Sequence, residues 1–135
     1  MNIAILDDDM GYTDVFEDKF LSSNINVEKF HFVNELFSFG LNHFDLIFID
    51  HFSEHNLKGY EISKKIWFRK CNVDILLLRT FDSDYYNKRN LAELKHIKNT
   101  PNILDSVSKY DFEKIKEWIR YIDNMQSIKQ MAVAI

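Results

Sequence analysis

An α/β fold, a doubly wound five-stranded parallel sheet with helices on both faces, is what this 135-residue sequence predicts. Short apolar runs of strand length alternate with longer segments of helical spacing, the pattern of β-then-α units. The segments at 45–49 and 75–78 carry apolar residues at consecutive rather than alternating positions, as central strands buried on both sides require.

The elements follow in order. Residues 2–6 form an apolar strand that ends in acids. Tyr12, Phe16 and Phe20 recur four apart, one face of a first helix, and Asp9 suits its N-cap. Residues 26–32 alternate and predict a second strand. Val33, Leu36, Phe37 and Leu41 make a second helical stripe, with Gly40 as a stop signal. Residues 44–49 are a buried strand ending at Asp50, and Gly59 opens a helix with Ile62 and Ile66 on one face. A fourth strand spans 73–78 and ends at Thr80. A polar helix follows over 84–98, then a weakly marked strand over 103–107. Phe112, Ile115, Ile119 and Ile122 define a last helix. Residues 1–124 read as one domain, and 125–135 as a tail or helical extension whose apolar rhythm suits a partner or a second copy. Trp67, Trp118 and most phenylalanines read as core or helix-packing residues.

Composition narrows the function. Hydrophobic residues at 46% and charged residues at 28% are ordinary for a folded soluble domain and wrong for a disordered chain. A net charge of −4 argues against nucleic acid as a direct partner, because phosphate neutralisation needs a basic surface. The single cysteine, Cys71, excludes an internal disulfide and a cysteine-based zinc site and fits a reducing compartment. The N-terminus lacks a basic stretch and meets Asp7, Asp8 and Asp9 at once, unlike a signal peptide. No apolar run is long enough to span a bilayer. The expectation is a cytoplasmic domain with neither a nucleic-acid nor a membrane partner.

The polar residues at the strand ends carry the chemistry. Asp7 and Asp8 follow the first strand, Asp50 the third, Thr80 the fourth and Lys109 the fifth. A doubly wound sheet places its ligand site beyond the strand C-termini, so these residues should converge. Clustered carboxylates need a cation, and oxygen-only ligation suits Mg²⁺. A carboxylate beside Mg²⁺ can attack phosphorus, while a lysine and a hydroxyl at the same rim neutralise and hydrogen-bond a phosphoryl group.

Residues 2–123 resemble the receiver domain of bacterial response regulators, in the single-domain, chemotaxis-type (CheY-like) form. The resemblance rests on Ile5-Leu6-Asp7-Asp8-Asp9, Asp45-Leu46-Ile47-Phe48-Ile49-Asp50, Gly59, Leu76-Leu77-Leu78-Arg79-Thr80 and Ser108-Lys109. It implies a flavodoxin-like sheet of order 2-1-3-4-5 with Asp50 as phosphoryl acceptor. Asp7, Asp8, Asp50 and the backbone carbonyl of Phe52 would be the Mg²⁺ ligands. Thr80 and Lys109 would meet the phosphoryl group. It further implies a sensor histidine kinase or phosphotransfer protein as donor, and a downstream protein target on the face of the fourth helix, fifth strand and fifth helix. A homodimer is compatible with it.

Three positions depart from the family's pattern. Phe81 follows Thr80 where a small residue is usual, and its ring would gate access to the acceptor. Ser106 occupies the aromatic switch position, and Tyr110 replaces the proline after the lysine. These departures favour an alternative, a receiver-like interaction module that works without phosphorylation. A second alternative is a phosphatase, because Asp7-Asp8-Asp9 is similar to the first motif of haloacid dehalogenase-type enzymes. There Asp7 would be the nucleophile and Asp9 the general acid.

Overall fold

The structure is a computed structural model and describes residues 1–51, 58–69, 71–80 and 91–134. The chain order is β1 (Asn2–Leu6), α1 (Met10–Phe20), β2 (Asn26–Phe30), α2 (Val33–Phe39), a 3-10 turn (Leu41–His43) and β3 (Leu46–Asp50). It continues with α3 (Gly59–Phe68), β4 (Asp74–Arg79), α4 (Leu91–Lys98), β5 (Ile103–Ser108) and α5 (Phe112–Ala134). All strand pairs are parallel and the sheet order is β2-β1-β3-β4-β5. The expected doubly wound, flavodoxin-like architecture is therefore present.

Alternation along the strands divides the core in two, because successive side chains point to opposite faces. Ile3, Ile5, Leu46, Phe48, Leu76 and Leu78 pack under Phe16 and Phe20 of α1 and Ile115, Ile119 and Ile122 of α5. Ala4, Leu6, Ile47, Ile49, Ile75 and Leu77 pack under Leu36 of α2, Ile62 and Ile66 of α3, and Ile97 of α4. Both faces of β3 are thus buried, which is why 46–49 reads as an unbroken apolar run.

Local chemistry sets the ends of the elements. The Asp9 side chain accepts the Tyr12 N–H at 3.1 Å and caps α1, as expected. Gly40 ends α2 with φ +115°, a conformation side-chain-bearing residues rarely adopt. Strand β2 stops at Phe30, two residues before the expected end. The Glu35 carboxylate accepts the N–H groups of His31 and Phe32, drawing both into the cap of α2. Strand β5 read weakly because its register with β4 shifts between Ile75 and Leu76, so its alternation is broken. The helix expected over 84–98 is described from Leu91; its earlier part lies outside the described residues. Trp67 is not a core residue: it is 39% exposed, one helical step off the Ile62–Ile66 face. Trp118 packs partly buried against the α1–α5 side of the core. Helix α5 crosses residue 124 without a break and continues to Ala134. No helix among the described residues is long and apolar enough to cross a membrane.

Candidate functional site

Strand register assembles the site. Leu6 lies opposite Ile49, so the next residues, Asp7 and Asp50, emerge side by side at the carboxyl end of β1 and β3. On the other side of β3, Asp50 is opposite Leu78, and the chain leaves β4 through Arg79 and Thr80. Arg79 pairs with Ser108 of β5, and the Lys109 N–H donates to the Arg79 carbonyl at 2.9 Å. Lys109 stands two strands from Asp50, about 10 Å across the sheet, and only a long side chain closes that gap.

Asp7, Asp8 and Asp50 each present a carboxylate oxygen within 4.8 Å of the others. Asp7 and Asp50 are buried and Asp8 is exposed. The Lys109 ammonium lies 2.6 Å from Asp7 Oδ2 and 4.0 Å from Asp50 Oδ1. Lys109 is therefore closer to Asp7 than to the acceptor candidate. Burial pushes the Asp7 carboxyl above its ordinary value, and the hydrogen bond from Lys109 offsets this only in part. Burial alone would lower the Lys109 ammonium. The hydrogen bond to Asp7 and the charges of Asp50 and Asp7 outweigh it and raise the group. Three carboxylates facing one ammonium leave a negative excess, and an all-oxygen donor set fits a hard divalent cation.

The remaining expected residues divide. Thr80 is exposed at the bend directly after β4. Phe52 and Phe81 lie outside the described residues. Ser106 is opposite Leu77, and its buried Oγ has no hydrogen-bond partner among the described residues. No cis peptide occurs among the described residues, so the Lys109–Tyr110 bond is trans. Gly59 and Tyr12 complete the site. A Cβ on Gly59 would stand 3.0 Å from the Asp50 carbonyl and 2.9 Å from Leu77 Cδ2, so α3 starts against the end of β3 only because no side chain intervenes. Tyr12, expected only as part of one face of the first helix, donates its hydroxyl to the Lys109 carbonyl at 2.7 Å, and its ring centroid lies 4.4 Å from the Lys109 ammonium. No sequence signal links two residues 97 apart in this way.

No protein-family model matches the sequence, and no curated protein matches it either. Solved structures do match in three dimensions. A signal receiver domain of an HD domain-containing protein from Pseudomonas fluorescens Pf-5 superposes with a TM-score of 0.76 at 13% identity, covering 96% of this chain and 91% of that one. The chain has the fold of a response-regulator receiver domain. A two-component response regulator from Clostridium difficile gives 0.74 at 18% identity, covering 92% of this chain and 96% of the other. The response regulator TrrA from Thermotoga maritima, solved in complex with Mg²⁺–BeF, gives 0.69 at 19% identity, with 90% and 97% covered. At these identities the shared property is the receiver fold, and the acid cluster stands at the carboxyl edge of its sheet.

Proposed function

We propose that the protein is a phosphoacceptor receiver of two-component signal transduction, phosphorylated on Asp50 and acting in the cytoplasm through protein–protein contacts. The observation that carries this reading is the convergence of Asp7, Asp8 and Asp50 within 4.8 Å, with a buried Lys109 against them. Asp7, Asp8, Asp50 and the Phe52 carbonyl would hold Mg²⁺. When bound, that cation supplies charge neutralisation between the carboxylates and an incoming phosphoryl group.

An Asp50 carboxylate oxygen attacks the phosphorus of a phosphohistidine on a sensor kinase or phosphotransfer protein. The new O–P bond forms as the P–N bond breaks, and the imidazole leaves with its electron pair. Lys109 neutralises a phosphoryl oxygen, and the Thr80 hydroxyl hydrogen-bonds another. The chain accepts a group rather than turning over a substrate. Its signal passes to a downstream protein over α4, β5 and α5. Residues 1–124 would form the receiver unit and 125–135 its helical extension or tail, of which the described part, to Ala134, continues the last helix.

Two observations rank the alternatives. Asp9 is engaged as the α1 cap and Asp7 is fully buried beside Lys109, an arrangement that favours Asp50 over a phosphatase nucleophile at Asp7. A silent interaction module draws support from Ser106, too short for an aromatic switch, and from Tyr110. Intact mass after incubation with Mg²⁺ and a small acyl-phosphate donor decides between them. One phosphoryl adduct on the wild type, absent from Asp50→Asn, is expected. An unmodified wild type with its fold intact selects the silent module.

A further inference from the structure

We infer that Tyr12 is a positioning residue that aims Lys109 at the acceptor site, an inference that rests on the phosphoacceptor reading. Tyr12 lies on the first turn of α1 and Lys109 beyond the end of β5, so nothing local joins them. Tyr12 nonetheless grips Lys109 at both ends. Its hydroxyl donates to the Lys109 carbonyl at 2.7 Å and fixes the backbone from which the side chain starts. Its ring centroid lies 4.4 Å from the ammonium where the side chain finishes, within cation–π range.

Both contacts are protected. Tyr12 is 7% exposed, and its ring packs against Phe16, Phe112 and Tyr110. Burial, together with the negative charges of Asp7 and Asp50, pushes the phenol upward, so it remains a donor. The need for a clamp is visible in the sequence and the distances. Lys109 is followed by Tyr110, which fixes no backbone angle, and its flexible side chain must cross β4 to reach the acids. Its nearest anion, Asp7, lies 2.6 Å from the ammonium and Asp50 4.0 Å, and one point contact with Asp7 does not by itself fix from which side the ammonium meets an incoming anion. A ring at 4.4 Å restricts that direction.

The test uses the whole chain as wild type, Tyr12→Phe and Tyr12→Leu. Mg²⁺ affinity is measured alone by amide shifts, and then affinity for beryllofluoride, an anionic stand-in for a phosphoryl group, by fluorine NMR in saturating Mg²⁺. Tyr12→Leu removes both contacts and is expected to weaken anion binding about tenfold with Mg²⁺ affinity unchanged. Tyr12→Phe keeps the ring and loses the hydroxyl, so an intermediate loss of about threefold is expected, and it stands in if the leucine variant fails to fold. Anion affinity equal to wild type in a folded variant overturns the inference. So does a parallel loss of Mg²⁺ and anion affinity, which marks a packing role. Failure of the wild type itself to bind the anion instead removes the phosphoacceptor reading, and this inference with it.

Discussion

Lys109 is a buried cation set against the site's carboxylates. Its ammonium is the cation 2.6 Å from the fully buried Asp7, and taking it away leaves a desolvated carboxylate. Lys109→Met should lower unfolding free energy by about 3 kcal/mol, read from urea denaturation at neutral pH. The pH dependence has a definite sign. Lys109 has its folded-state value raised above 10.5, so its stabilisation is complete below the unfolded value and is lost as pH rises through the folded one. The gap between wild type and Lys109→Met should therefore narrow in alkali, and a constant gap would contradict the pairing. Gly59 makes a second sharp case, because a methyl group there meets the Asp50 carbonyl and Leu77. Gly59→Ala should cost about 2 kcal/mol and disturb the backbone beneath Asp50, visible as shifted Asp50 and His51 amide resonances. The glycine was legible in the sequence as a helix start, but the close approach behind it was not, since it depends on a strand end and a neighbouring strand's side chain.

Helix α5 does two different things along its 23 residues. Its first half presents Ile115, Ile119 and Ile122 to the core, each buried. Its second half carries Met125, Ile128 and Met131 at 38%, 59% and 67% exposure. Ile119→Ala should cost about 3 kcal/mol, whereas ending the chain after residue 124 should cost about 1 kcal/mol or less, both by denaturant unfolding. Comparable losses would mean that the extension is part of the core. The periodicity of 112–122 made the core half legible, because one face of a helix repeats at three and four residues. The same rhythm continued past 124 without distinguishing burial from exposure. Trp67 teaches the converse: its helical phase, one position after Ile66, already put it outside the buried stripe, and size was the wrong guide.

Across the whole molecule, the acid cluster weighs on folding stability, because it buries carboxylate charge. Burial raises Asp7, so without a cation the protein loses stability as pH rises from the unfolded value of 3.8 through the folded one. A divalent cation joining the three carboxylates would reverse that loss. Mg²⁺ at a hundred times its dissociation constant should stabilise the fold by about 2.7 kcal/mol, and Asp50→Asn should abolish most of the gain. A melting temperature indifferent to Mg²⁺ would contradict the metal site. The sequence by itself determined the sheet and the acids, threonine and lysine at the ends of four of its five strands, because hydrophobic periodicity and polar punctuation are local and survive in one dimension. Only the tertiary structure decided that Lys109 leans to Asp7 rather than Asp50, that Asp8 stays in solvent while Asp7 does not, and that Tyr12 holds Lys109 from 97 residues away. Those outcomes depend on strand register and on which side chains share a few ångströms at one edge of a sheet, and neither quantity is written in the spacing of residues along a chain.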